Sequence, residues 1–429
     1  MKTAVPDVVV IGGGVIGLST ALELQGRGLA VTVIERDPDG HSASIGNAGA
    51  FAFSDVEPLA APGIMRRAPG WLLDPLGPLS IPPAYALRIA PWMLRFWRAS
   101  WRDRHAGAVQ AQAALMAHSQ TALERLVTAT DAGPLLRREG QLQLYDNAAS
   151  FRASLNGWEN RRAHDITFEL IEDNPARIAE LQPGLDARFR FAAFTPDWFN
   201  VTDPGQWHAH LRDCFLARGG QFRRANARAL RPSLDHVDVE TDGTPIRAGN
   251  VVLAAGAWSH HLARTMGERL PLETERGYNT TLPDPRFKQK THLSFADHGF
   301  VVTKVGQGIR VGGAVELGGL HLPPNYRRAD VLLDKAKAFL PGLNAQGGTQ
   351  WMGFRPSMPD SLPVIGRSIT AARVIHAFGH GHLGLTQSAG TATLVADLVT
   401  GVRPAIALAP YRPDRFAFAR FGKPHLGKH

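Results

Sequence analysis

Cysteine is almost absent: Cys214 stands alone among 429 residues. A single thiol excludes an intramolecular disulfide and any metal centre built from cysteines. Long apolar runs are missing too. No eighteen-residue stretch is free of charge and apolar throughout, so no membrane-spanning helix is expected. The histidines at 208, 210, 260, 261, 376, 380 and 382 come without a His-Glu-x-x-His pattern or an acid-rich ligand set, and no metal is expected. Charge is one-sided without being clustered, 47 basic against 38 acidic side chains for a net +9. An anionic substrate, an anionic membrane surface, nucleic acid and a merely arginine-rich composition all account for that excess. No nucleic-acid-binding motif accompanies it, and none of these partners follows from charge alone.

What is present is a globular composition, 44% hydrophobic with 20% charged, long enough for two intertwined domains. The first stretch sets the theme. Val8-Val9-Val10-Ile11 is a short β-branched run, read as a buried strand. Gly12-Gly13-Gly14-Val15-Ile16-Gly17 follows and fits G-x-G-x-x-G. Leu18, Ala21, Leu22 and Gln25 recur at helical spacing, Gly28 closes the helix, and Val31 to Ile34 form a second strand ending at Glu35. Glycines at those positions let the backbone approach a pyrophosphate, whose charge meets free N–H groups at a helix N-terminus. Glu35 is placed to accept hydrogen bonds from an adenosine ribose. The motif by itself leaves NAD and FAD open. Removing the N-terminus would remove the strand that the glycine loop needs, so no cleaved leader is expected and a cytoplasmic location is the default.

Further along, residues 56–104 carry prolines at 58, 62, 69, 75, 78, 82, 83 and 91. Trp71, Leu72, Leu73, Tyr85, Leu87, Ile89, Trp92, Met93, Leu94, Phe96, Trp97 and Trp101 alternate there with Arg88, Arg95, Arg98, Arg102 and Arg104. Two readings stand: amphipathic helices packed on the core with arginine stems snorkelling, or a segment seated in the headgroup layer of an anionic membrane. A long helix is expected from about Gly107 to Thr130. Alternating runs at 141–145, 166–171 and 189–194 then mark a sheet with one open face. A helix begins at Asp203-Pro204, a strand at 250–253 runs into small residues, and a hairpin turn is expected at Gly306-Gln307-Gly308.

Six stretches occur in this order: 12–17, 44–49, 253–259, Gly353-Phe354-Arg355-Pro356, 359–366 and 379–386. In this the chain resembles the D-amino acid oxidase superfamily of flavoproteins, and within it is similar to the bacterial D-amino acid dehydrogenases nearly end to end. The resemblance implies an α/β (α+β overall) fold, with a Rossmann-like FAD-binding domain interleaved with an antiparallel-sheet substrate domain. Its segments would be 1–55, 203–268 and 352–429 for the cofactor, and 56–202 with 269–351 for the substrate. It implies that Gly12, Gly14, Val15, Ile16, Gly17, Glu35 and Arg36 hold the ADP part of FAD. Ser44, Asn47, Ala48 and Gly49 match the loop beside the flavin ring, and Ala254, Gly256 and Trp258 the second contact strand. Gly381, His382, Leu383, Gly384, Leu385 and Thr386 match the stretch along the flavin edge and the substrate cavity. Relatives that tether FAD covalently use a late cysteine or an early-loop histidine. This chain has neither, with Asn47 in the early loop, so non-covalent FAD is expected.

For catalysis the resemblance points to Arg355, whose guanidinium would give a substrate carboxylate two parallel hydrogen bonds. Tyr278 matches a position near the substrate, where it would donate to the carboxylate or cover the site; a core tyrosine is the competing reading. His382 is a candidate general base and resembles the D-hydroxyproline and D-proline dehydrogenases at that position. The implied reaction is hydride transfer from the substrate Cα to flavin N5, with electrons passed to a quinone or other acceptor. The partners expected are a small D-amino or imino acid and an electron-transfer partner, with the anionic membrane surface open and no nucleic acid. A peripheral position on the inner face of the cell membrane goes with the membrane reading. Alternatives are a broad D-alanine-type dehydrogenase, a sarcosine- or glycine-type amine oxidase and, most remotely, an RNA-associated flavoprotein.

Overall fold

The computed structural model describes residues 5–40, 42–64, 77 and 79–416. Val8–Ile11, buried at all four positions, lies inside a six-stranded sheet. The strand order is Gln221–Arg224, Val31–Glu35, Val8–Ile11, Asn250–Leu253, Val374–Phe378 and Val364–Arg367. The first five are parallel and the last antiparallel. Runs such as Val-Val-Val-Ile and Asn-Val-Val-Leu suit strands covered on both faces. Helix Val15–Gly26 follows the first strand, and Gly28 ends it in the left-handed conformation at φ +81°.

Helix Gly384–Thr400 packs on Val15–Gly26 and on the long helix Arg102–Thr130. The crossing is close: a Cβ at Gly390 would sit 2.2 Å from Ser119 Oγ. Leu115, Met116, Leu123 and Val127 of the long helix share one core with Leu18, Leu22, Leu394 and Val395. This corrects the assignment of all of 56–202 to the substrate half. The apolar stripe of Arg102–Thr130 finds its partner on the nucleotide side.

A nine-stranded sheet forms the second layer. Its path runs Thr349–Ser357, Glu273–Leu282, Gly308–Glu316, Phe300–Val305, His292–Phe295, Gln141–Tyr145, Phe191–Thr195 and Glu169–Ile171, with Leu79–Ser80 beside Gly308–Glu316. Most pairings are antiparallel, but His292–Phe295 runs parallel to Gln141–Tyr145, and Leu79–Ser80 parallel to its neighbour. The sheet is therefore mixed rather than purely antiparallel, because it joins strands from separate stretches of chain. Phe300–Val305 and Gly308–Glu316 are joined through Gly306 and Gln307, Gly306 having φ +59°. The division at residue 352 falls inside Thr349–Ser357, which pairs along its whole length with Glu273–Leu282. The chain leaves this sheet only after Ser357, where Pro359 cannot supply the next donor.

Of the proline-rich segment, helix Ala86–Ala99 packs Ile89 and Trp92 against Leu317. Its other face is bare, with Leu87 92% and Leu94 63% exposed and Trp97 open to solvent, as is Trp101 just beyond the helix. Trp71, Leu72, Leu73 and the prolines at 69, 75 and 78 lie outside the described residues. Among the described residues no helix is long and apolar enough to cross a membrane.

Candidate active site

Two cavities meet between the sheets. The first, about 690 Å³, opens over the glycine loop and is lined by Gly12, Gly14, Val15, Ile16, Glu35 and Arg36, then Ser44, Asn47 and Ala48. Gly12 adopts φ +110°, and a Cβ there would lie 2.3 Å from the Ala254 carbonyl oxygen. A Cβ at Gly17 would lie 1.9 Å from the Gly12 carbonyl oxygen, so this glycine permits close helix–strand packing and does not itself line the cavity. The Glu35 carboxylate accepts from Gly13 N at 2.8 Å and from Asp37 N at 3.0 Å, bracing the loop it follows. Ser44 Oγ accepts from Val15 N at 2.9 Å. The Arg36 guanidinium lies 3.7 Å above the Trp258 ring.

Asn47 spends its side chain on its own loop. Nδ2 donates to Ser44 O at 2.8 Å and Oδ1 accepts from Gly49 N at 2.7 Å. Arg310 donates to the carbonyls of Asn47 and Ile45 from the other sheet, locking the loop against it. Gly49, at φ +68°, shapes the same turn. Thr386 also stays outside the cavity: its Oγ1 accepts from Ala52 N at 3.0 Å and ties the helix start to the strand after the loop. Ala254, Gly256, Trp258, Gly381, His382, Gly384 and Leu385 do line it.

The second cavity, about 540 Å³, shares Asn47, Ala48, Ala50, Arg355 and His382 with the first and is walled by Leu383, Trp92, Phe96, Trp198, Trp351 and Leu317. Arg355 lies across Gly277, where a Cβ would come within 2.3 Å of its Nη2. Its Nη1 donates to Ala314 O at 3.1 Å. Ala314 sits at φ +56°, a conformation an alanine rarely takes, and its carbonyl is the one that Arg355 meets. Burial pulls the Arg355 guanidinium below its ordinary value, and the nearby Glu275 carboxylate opposes that pull. Burial likewise lowers His382, against the raising effect of Asp55 and Glu275.

Tyr278 lines this cavity, but its hydroxyl donates to Glu316 Oε1 at 3.0 Å and accepts from Asn325 N at 3.1 Å. Glu316 is held in turn by Arg276 at 3.0 Å. The phenol is thus committed to a buried network outside the cavity, which corrects its reading as a carboxylate donor. The histidines are dispersed. His208 meets Gly13 O at 2.7 Å, His210 meets Thr130 O at 2.8 Å, and His376 meets Glu268 at 2.9 Å. His380, pushed down to about 3 by burial, meets Thr391 Oγ1 at 2.9 Å. Among the described residues no group of three or more potential ligands is placed to hold a metal ion. Arg310 and Glu275 are site residues without a motif of their own. The paired glycines 277 and 353, small where the sheet faces the cavity, are the signal that could have found this face.

The family model described as FAD dependent oxidoreductase, DAO, matches residues 7–398. The chain belongs to the DAO family. Among its relatives is a D-amino-acid oxidase of Bradyrhizobium diazoefficiens, 35% identical over 417 residues, which covers 95% of this chain and 98% of the relative. D-amino acid dehydrogenase 2 of Ralstonia nicotianae is 32% identical, over 94% of this chain and 99% of its own. In fold the chain is similar to glycine oxidase from Geobacillus kaustophilus, with a TM-score of 0.76 at 21% identity, covering 96% and 99% of the two chains.

This DAO-family chain is thus an FAD-dependent oxidoreductase, and its first cavity suits the cofactor. A loop that admits no Cβ at Gly12 leaves backbone within reach of a pyrophosphate at the N-terminus of Val15–Gly26. Glu35 and Arg36 line this cavity at the end of the second strand, and the 44–49 loop and the 381–385 stretch border the junction with the second cavity.

Proposed function

We propose that the enzyme oxidises D-amino acids at the Cα–N bond, favouring imino acids of the D-proline and D-hydroxyproline type. Arg355 carries this reading: a half-buried guanidinium where the cofactor cavity meets the apolar one is suited to hold a substrate carboxylate. The names of the relatives supply the D-configuration and the amino acid class. FAD held in the first cavity would supply the two-electron chemistry, as the acceptor of a hydride from Cα. Arg355 fixes the carboxylate so that only one orientation of Cα faces the cofactor. His382, bordering both cavities and lowered by burial, is the candidate to hold a proton near the substrate nitrogen. Trp92, Phe96 and Trp351 keep the site apolar. A linear imine then hydrolyses to a 2-oxo acid and ammonia, whereas a cyclic imine leaves intact.

The size of the cavity, about 540 Å³, favours a second reading of the same chemistry, a broad D-alanine-type specificity. Turnover of cis-4-hydroxy-D-proline, D-proline, D-alanine and sarcosine with an artificial quinone acceptor separates the readings. At least a tenfold higher kcat/KM for the imino acids is expected; equal values favour the broad enzyme, and turnover of sarcosine alone contradicts the D-amino acid assignment. The reacting amine must be neutral, so kcat/KM rises with pH into the alkaline range. His382 ionises below its ordinary value and therefore adds no inflection above pH ~6.5.

We further propose that electrons leave to a quinone or protein carrier at a membrane surface on its cytoplasmic face. The bare side of Ala86–Ala99 supports this, since Leu87 and Leu94 project between Arg88, Arg95 and Arg98. Co-sedimentation with anionic vesicles that is lost in high salt and in the double variant Leu87→Ser, Leu94→Ser is expected. No salt-sensitive binding would remove the membrane from the account.

A further inference from the structure

Glu275 lies directly opposite Arg355 in the antiparallel pairing of Glu273–Leu282 with Thr349–Ser357. Both residues line the second cavity. Opposed residues in such a pair have Cα atoms roughly 4.5–5.5 Å apart, and buried opposite charges at that spacing ordinarily close into an ion pair. These do not. Arg355 leans across Gly277 and donates to Ala314 O, and among the described residues no ion pair joins it to Glu275. Glu275 is only 5% exposed, yet its Oε2 is buried without any hydrogen-bond partner. A buried carboxylate oxygen without a donor is costly, and such an atom marks a place where something else supplies one.

The groups facing it say what that is. Arg355 and His382 both feel the Glu275 charge, and Asp55, itself paired with Arg161 at 3.6 Å, lines the same cavity. Of the two arginines that line this cavity, Arg310 is turned to the carbonyls of Asn47 and Ile45, and Arg355 is the one paired across the strands with Glu275. An amino acid carries an anionic group and an N–H-bearing nitrogen on one carbon, a dipole matched to an arginine and a glutamate on neighbouring strands. We propose that the Glu275 carboxylate accepts the N–H of the substrate nitrogen while Arg355 holds the substrate carboxylate. The inference rests on the amino acid reading of the cavity and deepens it. It makes Glu275 the residue that separates amino acids from carboxylic acids with no donor on that carbon, since a site built to accept an N–H rejects analogues that leave it unpaired.

The test compares FAD-loaded wild type with Glu275→Gln, using D-alanine and propionate, the same carbon chain without nitrogen. Apparent Kd for D-alanine comes from the concentration dependence of anaerobic flavin bleaching, and Kd for propionate from the flavin spectral shift. Glu275→Gln is expected to weaken D-alanine at least tenfold and to leave propionate unchanged or tighter, because a negative charge beside an anion has been removed. Unchanged D-alanine binding, or equal weakening of both ligands, overturns the proposal. Weakening of D-lysine but not D-alanine assigns the carboxylate to a substrate side chain and overturns it as well. Should the variant not retain FAD, the wild type carries the test: propionate must bind at least tenfold more weakly than D-alanine, and equal affinity overturns the proposal. A wild type bleached by no amino acid at all instead fells the reading of the cavity on which the inference rests.

Discussion

Replacing Arg355 with leucine is expected to lower kcat/KM for D-amino acids by roughly 10³-fold, equivalent to about 4 kcal/mol of transition-state binding. FAD should remain bound. The guanidinium lies across Gly277 and is fixed by the Ala314 carbonyl, so it meets the substrate with its orientation already set. Leucine fills much of the space and supplies neither charge nor fork. The charge survives in Arg355→Lys, but the paired donors are lost, and a fall of roughly 10–100-fold is expected there. Steady-state kinetics on variants checked for their flavin spectrum measure both. A leucine variant within threefold of wild type would remove Arg355 from substrate binding.

Gly17→Ala should yield a chain that folds poorly and is purified without FAD. The new Cβ would lie 1.9 Å from the Gly12 carbonyl oxygen and 3.3 Å from Val10 Cγ1, so the helix must move off the strand. Overpacking of that kind costs about 1–3 kcal/mol, and moving the helix also displaces the N–H groups aimed at the pyrophosphate. Gly26→Ala is the control. It lies in the same helix with open space around it, and alanine there should hold FAD and gain up to roughly 1 kcal/mol. Flavin content at 450 nm and the melting temperature distinguish the two. Full FAD content in Gly17→Ala would contradict the packing described for the loop.

The elements legible in the sequence are those whose signal is local. Val8–Ile11, the glycine loop, the helix to Gly26 and Val31–Glu35 each follow from periodicity and from glycines that the turn requires. The start of the helix at Asp203-Pro204 is equally plain, and the structure shows Asp203 accepting from Gly205 N and Gln206 N there. What stayed hidden depends on which strands and helices meet. Arg102–Thr130 reads as a helix, but nothing in its own residues says that Ser119 packs on Gly390 and draws it to the nucleotide side. Tyr278 looks available until Gly308–Glu316 pairs with its strand and brings Glu316 to the phenol. Glu275 and Arg310 have no motif around them. Their part in the site is set by strand register, with Glu275 opposite Arg355 and Arg310 opposite Thr281, and by the carbonyls of the 44–49 loop that Arg310 reaches.

The central claim is that the two cavities join an FAD site to a carboxylate clamp selective for D-amino acids. Anaerobic mixing of the FAD-loaded enzyme with D-proline and, separately, L-proline tests it most directly. Rapid loss of flavin absorbance with D-proline and none with L-proline is expected. Bleaching by L-proline alone, or by neither enantiomer of proline or alanine, would contradict it.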